Sequence, residues 1–485
     1  MNTRLIISLA CFLLSCLIMT GQSSLRPRGD VNCDWEVDIA DANALMDAIM
    51  SHTAYHSLYT YALDINGDKE INIADMNLLV DGILGIELPP MPTFSGTLPV
   101  LYINTEGYQD IVSKEEYLRA SWWLDNQGIE SCEPIGSYDD PMGMLIKGRG
   151  NATWTNMDKK PYRLKFDEKH PVLGMPSNRH WTLLPYADVW IGKMKDALPF
   201  EIGRRMGMAW NPRQEPVEVV LNGQYIGLYF LTEKIRVGKN RVNITEQQDM
   251  EIDPEKITGG WLLEIDNYIE PDNISFTEGN GEPFWVTPHS PEVLSAAQRN
   301  YITTFLLFTD MAIYEKDKSS RLWEQYIDMD SLAIFYLIME AVDNPEAFSG
   351  SCFMHMDRGN DTKLIFGPMW DCGSSFHRYS KDYPFNEFIY ENMPEYCRSR
   401  WIHEIVKFPR FQECVRLHWK RFFEEVYPTM DAYIDEFAAK IEQACEADLK
   451  RWPLYSANNN TLRINMYFRP CFHKKVAWLQ SQWGE

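Results

Sequence analysis

Lys147-Gly148-Arg149-Gly150-Asn151-Ala152-Thr153-Trp154, followed by Lys159-Lys160-Pro161-Tyr162-Arg163-Leu164-Lys165-Phe166, decides how the larger part of this chain reads. The apolar-rich run Met144 to Lys147 and the alternating run Tyr162 to Phe166 predict two strands joined across a glycine-rich turn. With a period of two, Arg163 and Lys165 fall on one strand face. Between residues 147 and 169 seven Lys and Arg side chains stand against Asp158, Asp167 and Glu168. Gly148-Arg149-Gly150-Asn151 adds flexible backbone amides beside a guanidinium suited to bidentate oxyanion contacts. The stretch predicts an anion site, and a phosphate chain fits it.

That basic run is an exception in its own chain. The 485 residues carry 46 Lys and Arg against 69 Asp and Glu, a net charge of −23. Such a balance argues against nucleic acid or anionic lipid as a partner. Hydrophobic content of 45% with aromatics at 13% promises a large packed core. Further strands are expected at Val100 to Ile103, Val217 to Leu221, Tyr225 to Thr232 and Trp261 to Ile265. Asn222-Gly223 marks a hairpin. Ile191 to Met206 reads as a helix with Met194, Leu198, Ile202 and Met206 on one face, kinked at Pro199. Beyond about Ser290 the spacing turns helical, with Leu332, Phe335, Tyr336 and Met339, then Tyr433, Phe437, Ile441 and Ala444. The expected class is α+β with a helical C-terminal part over 400–485.

Two other segments carry chemistry. Gly367-Pro368-Met369-Trp370-Asp371-Cys372-Gly373 follows the strand-like Leu364 to Phe366 and presents a carboxylate suited to Mg²⁺. Asp343-Asn344-Pro345-Glu346 supplies carboxylates and an amide in a Pro-broken loop.

Residues 30–85 hold 11 Asp and Glu and one Lys, in register. Asp30, Asn32, Asp34, Glu36, Asp38 and Asp41 occupy positions 1, 3, 5, 7, 9 and 12 of a loop. Asp64, Asn66, Asp68, Glu70, Asn72 and Asp75 repeat the spacing, and each loop runs into a matching amphipathic segment. Oxygen-only ligand sets of this kind suit Ca²⁺, so two calcium sites are expected. Residues 28–86 resemble a dockerin, a small all-α module of paired calcium loops and helices, and the resemblance implies a cohesin-like docking partner. At loop position 6, where Gly eases the sharp turn, this chain has Trp35 and Lys69.

Met1 to Arg4, the apolar run Leu5 to Met19 and the small polar residues after it read as a signal peptide over 1–21. The run is shorter than a membrane span and no later segment approaches one. A secreted, cell-surface or periplasmic address follows. Cys16 offers lipid anchoring as a second option, although the apolar run continues past it and favours ordinary cleavage. The remaining eight cysteines show no CxxC pair and read mostly as buried thiols. Residues 87–97, with three prolines in four positions, read as a stiff linker, and the large domain is expected over 98–485.

The ordered motifs 147–154, 159–166, Tyr225-Ile226-Gly227-Leu228-Tyr229 with Thr232-Glu233-Lys234, and 367–371 together resemble the CotH kinase family, named for a spore-coat protein. The resemblance implies an atypical protein-kinase-like fold and phosphorylation of protein Ser/Thr from ATP and Mg²⁺. It places Asp371 as metal ligand and Glu346 as the residue that orients the attacking hydroxyl, at a position where the family usually has Asp. The positioning and charge stabilisation that phosphoryl transfer needs then assign Lys165 to the phosphates, Glu233 to orienting Lys165, and Arg149, Lys160 and Asn344 to cofactor contacts. Gly373 replaces a second family acid. Two function classes stay open: an exported kinase, and a weak or inactive kinase-like scaffold in a surface polysaccharide-degrading assembly. Glycoside hydrolysis would need two acids set apart as a pair, and the sequence singles out none.

Overall fold

A computed structural model describes residues 28–484, apart from 33, 35, 52–62, 64, 66–70, 87–93, 188–191, 267–272, 360–361, 377–382, 392–399 and 454–459. The signal segment 1–21, most of the linker, Asp64, Asn66, Asp68, Glu70, Trp35, Lys69, Cys33 and Cys397 lie outside the described residues. No helix among the described residues is long and apolar enough to cross a membrane.

The N-terminal segment forms helices α1 (Ile39–Ser51) and α2 (Ile73–Ile83). Leu45, Ala48, Met76 and Leu79 close a small core between them with Val31, Leu63 and Ile65. Asn72 caps α2 by accepting from Ala74 N at 2.7 Å, and the Asp75 carboxylate in turn accepts from Asn72 N at 3.0 Å. This is the reciprocal capping box that an Asn three residues before an acid permits.

Seven strands, β1 (Val100–Thr105), β2 (Leu118–Asp125), β3 (Met142–Gly148), β4 (Tyr162–Val172), β5 (Met175–Leu184), β6 (Gln214–Leu221) and β7 (Gln224–Glu233), close into a barrel of order β1-β2-β3-β4-β5-β7-β6. Closure comes from β1 lying parallel to β6, with Val100 opposite Glu218. Alternation decides what fills it. Met144, Ile146, Leu164, Phe166, Trp181 and Leu183 point inward and are buried, so their neighbours Lys147, Arg163, Lys165 and His180 belong to the outer face. The Asn222-Gly223 hairpin joins β6 to β7 as expected, both residues at positive φ (51° and 78°).

The expected helix 191–206 is divided. α4 (Gly192–Lys195) and α5 (Ala197–Arg205) meet at Asp196. Pro199 has no N–H to return to the carbonyl of Lys195, which accounts for the break. The short α3 (Ala152–Asn156) sits in the turn between β3 and β4.

A second sheet has the order β12-β11-β8-β10-β9, from β8 (Trp261–Ile265), β9 (Ile274–Thr277), β10 (Pro283–Ser290), β11 (Cys352–Met356) and β12 (Ile365–Phe366). Strand β11 corrects the expectation of a helical pattern beyond about Ser290, in which only Leu364 to Phe366, here β12, reads as strand-like. Its five residues are all buried, so it shows no alternation. Helices α6 (Ala296–Ile313), α7 (Met329–Ala341), α8 (Arg400–Ile405), α9 (Pro409–Arg421), α10 (Met430–Arg451), α11 (Thr461–Arg463) and α12 (Arg469–Trp483) complete the C-terminal part. Helix α7 is buried along almost its whole length, as a helix apolar all round must be. Helix α10 rests on the barrel, with Phe437 stacked on Phe230 at 5.8 Å. Cys132, Cys352, Cys372, Cys414, Cys445 and Cys471 are buried free thiols.

Candidate functional site

The outer face of β3, β4, β5 and β7 concentrates cations by register alone. Lys147 lies opposite Arg163, Lys165 opposite His180, and Thr182 opposite both Arg163 and Thr232. Lys234, two residues beyond Thr232, continues that face. Burial pushes the Lys234 ammonium down to about 7, helped by the charges of Arg163, Arg236 and Arg149 and opposed by Glu292. Burial with Arg236, Lys234, Arg163 and Lys165 pushes His180 down to about 3, so its ring is neutral at physiological pH. Among the described residues neither Lys234 nor Arg163 forms an ion pair, and the buried Arg163 Nε has no hydrogen-bond partner. Crowded, desolvated cations that outnumber the carboxylates beside them are costly unless an anion joins them.

Arg149 carries this cluster toward the second motif. Burial pulls its pKa down, while Asp371, Tyr186 and Asp196 act to raise it, and its guanidinium lies 5.6 Å from the centre of the Trp370 ring. Arg149, in the turn that follows β3, therefore lies near Asp371 as well as Arg163.

The Asp371 loop is tethered from beneath. Asn211 Oδ1 accepts from Met369 N at 2.8 Å, Asp196 Oδ1 from Cys372 N at 2.6 Å, and Lys195 Nζ donates to Gly373 O at 2.5 Å. Asp196 Oδ2 also accepts from Tyr186 OH at 2.7 Å. These bonds hold Asp371 in the left-handed region (φ 53°, ψ 55°) with its side chain exposed, a conformation that persists in a non-glycine residue when its surroundings over-determine it. Glu346 reaches the same loop, its Oε2 accepting from Ser374 Oγ at 2.5 Å. Asp343 is held from behind by the fully buried Lys475, whose Nζ lies 3.0 Å from Asp343 Oδ1 and 3.2 Å from Glu340 Oε2.

Three expected roles do not fit this geometry. Glu233 pairs with Arg241 at 2.5 Å and accepts from Arg213 N at 2.9 Å. It lies opposite Trp181, on the other face of the sheet from Lys165, so it does not orient that lysine; one step along a strand reverses the face. Lys160 Nζ donates to Trp154 O at 2.6 Å and ties down α3. Asn344 is 2% exposed, with its amide toward Met339 Sδ at 3.6 Å and its Oδ1 accepting from Glu346 N at 3.3 Å. These local bonds shape the loop. Lys165 remains on the cationic face, beside His180.

Motif reading gives no role to Lys234, Asp196, Lys195 and Asn211, whereas Arg163 belongs to the basic strand face it selects. Alternation within Thr232-Glu233-Lys234 already selects Lys234, because Thr232 shares its face. Lys195 and Asp196 were signalled by charges interrupting an otherwise apolar helix.

In the N-terminal segment Asp41 is fully buried and its two oxygens accept from Asn32 N at 2.9 Å and Asp38 N at 2.8 Å. Asp75 does the same for Ile65 N at 2.7 Å and Asn72 N at 3.0 Å. Asp34 N donates to Asp30 Oδ1 and Asn32 Oδ1, both at 2.9 Å.

No curated protein matches the chain. A family model described as CotH kinase protein matches residues 146–474, which include the cationic face, the Asp371 loop and the helices beneath them. Because that match covers more than half of the 485 residues, the chain belongs to the CotH kinase protein family.

Proposed function

We propose that this protein transfers phosphate from Mg-ATP to a protein Ser/Thr hydroxyl. The observation that carries the reading is a linked cationic cluster: Lys234 and Arg163, without ion pairs among the described residues, neighbour Arg149, and Arg149 neighbours the exposed carboxylate of Asp371. Mg-ATP supplies the activated phosphoryl group, and in such transfers the protein contributes positioning and charge stabilisation. Lys234 and Arg163, with Arg149 beside them, would neutralise the phosphate oxygens, and Asp371 would hold Mg²⁺. Glu346, steadied by Ser374, orients the acceptor hydroxyl. A second reading keeps binding without transfer. The hydrogen bond that already engages Glu346, and Gly373 in place of a second acid, favour it.

The affinity for Mg-ATP tests the cationic face by its pH dependence. An anion stabilises the ammonium form of Lys234, so binding takes up a proton above its free value of about 7. Affinity is expected to fall by up to about tenfold per pH unit above 7. Lys234→Arg, which keeps its charge, should flatten that profile in a calorimetric titration; an unchanged slope would remove Lys234 from the phosphate site.

We also infer that residues 28–86 bind two Ca²⁺ ions and dock into a cohesin-like partner, which would tether an exported enzyme to a surface complex. The repeated ligand spacing supports this, as does a buried Asp41 whose oxygens meet backbone N–H groups and, among the described residues, no cation. Chelation is expected to speed amide hydrogen exchange throughout α1 and α2 while leaving the barrel unchanged. Equal exchange with and without calcium would count against the metal.

A further inference from the structure

Helices α7 and α9 meet at a mixed cluster that the proposed phosphate site does not use. Cys414 and His418, four residues apart, share one face of α9, which brings them together over the first turn of α7. One oxygen of that turn receives both: Asp330 Oδ1 lies 2.8 Å from His418 Nε2 and 3.4 Å from Cys414 Sγ. The three ligand atoms all fall within 4.8 Å of one another. From this convergence we propose that Asp330, Cys414 and His418 form a binding site for a zinc-class divalent transition metal.

The chemistry of the set selects the ion. A thiolate with an imidazole and a carboxylate suits a borderline-soft cation, whereas calcium and magnesium take oxygen. Tetrahedral zinc spaces its ligand atoms roughly 3.2–3.8 Å apart, so the Cys414–Asp330 edge at 3.4 Å already fits and the Asp330–His418 edge at 2.8 Å has to open. Asp330 has no competing structural task at the helix terminus, because Asp328 caps α7 by accepting from Ser331 N at 2.8 Å. Arg410, on the same face, is drawn away by Glu324 at 2.7 Å. Cys414 is buried, His418 15% exposed and Asp330 67% exposed. The metal can therefore enter from the Asp330 side, where a water completes the fourth position. Binding replaces the Cys414 S–H by a metal–sulfur bond and releases that proton to solvent.

The site is separate from the phosphate cleft. It lies at the N-terminal end of α7, and the Asn344–Glu346 loop lies beyond the other end, about 18 Å along the axis. A bound ion staples α7 to α9 and so stiffens the helix from which that loop departs.

Cobalt reports the site without any need for activity. Chelator-treated full-length protein titrated with Co²⁺ should develop a thiolate charge-transfer band and tetrahedral d–d absorption that saturate at one equivalent and bleach with Zn²⁺. The acidic N-terminal loops offer oxygen ligands and the thiol of Cys33, so Cys33→Ser, which should leave the band unchanged, is the control for them. Cys414→Ser should abolish it, and His418→Gln should weaken cobalt binding and shift the d–d bands. Asp330→Asn, at an exposed position, should retain the band with lower affinity. Circular dichroism checks that each variant is folded, and should Cys414→Ser fail to fold, His418→Gln decides the question in its place. Absence of the band in the parent protein, or its persistence unchanged in folded Cys414→Ser or His418→Gln, would overturn the proposal and leave a hydrogen-bonded triad.

Discussion

Asp371→Asn is expected to leave the protein folded and to cut phosphate transfer from Mg-ATP by on the order of a thousandfold. Folding should survive for two reasons. The loop is held through Met369 N, Cys372 N and Gly373 O, and none of these bonds uses the Asp371 side chain. Asn also tolerates the left-handed backbone at this position better than Ala. Transfer should fail because an amide offers Mg²⁺ one neutral oxygen where a carboxylate offers two that share a charge. The polyphosphate charge beside Arg149 would then be only partly offset. Nucleotide binding through Lys234 and Arg163 should persist at reduced affinity, so single-turnover transfer with radiolabelled ATP, set beside a binding titration, separates the two losses. Glu346→Gln in the same assay should lower transfer by about a hundredfold with binding unchanged, since it removes an acceptor for the hydroxyl proton. A parent protein that binds Mg-ATP and transfers nothing to any protein acceptor would establish the scaffold reading.

The second large effect is on stability. Asp448 of α10 is fully buried and receives Lys159 Nζ at 2.6 Å, Lys193 Nζ at 3.5 Å and Leu228 N at 2.9 Å. A Cβ at residue 227 would collide with Asp448 Oδ1, and Gly227 itself sits at φ 97°, so the middle of β7 is shaped to admit this carboxylate. Asp448→Ala strands two ammonium groups and a backbone N–H in the interior and should cost about 3–5 kcal/mol. Equilibrium unfolding in urea measures it. Burial already pushes Lys159 down to about 8 even with Asp448 beside it. The unfolded chain therefore binds more protons between about 8 and the ordinary lysine value, and stability rises with pH across that window. In the variant the lysine falls further, so the window begins at lower pH and part of the loss should be recovered as pH rises. A pH-independent loss below about 1 kcal/mol would show that the cluster is not as closed as its burial indicates.

Much of this architecture can be read locally. The Asn222-Gly223 turn adopts the positive φ values that its residues favour. Alternation along Tyr162-Arg163-Leu164-Lys165-Phe166 separates an inward apolar face from an outward basic one, and neither result needs a distant partner. Strand β5 is different: Ser177, Asn178, Arg179 and His180 read as loop, and only pairing with β4 on one side and β7 on the other makes them a strand. Strand β11 is hidden for the opposite reason, being buried on both faces between β8 and β12.

The sequence by itself determined the family motifs, the cationic face of the strand pair and the register of the acidic loops, because each depends on spacing within a few residues. The tertiary structure alone decided that Arg149 meets Asp371, that Glu233 serves Arg241 and not Lys165, and that Asp448 closes over Lys159 and Lys193. Those pairings join chain segments far apart in sequence, and their partners are chosen by barrel closure and helix packing, which no local pattern encodes.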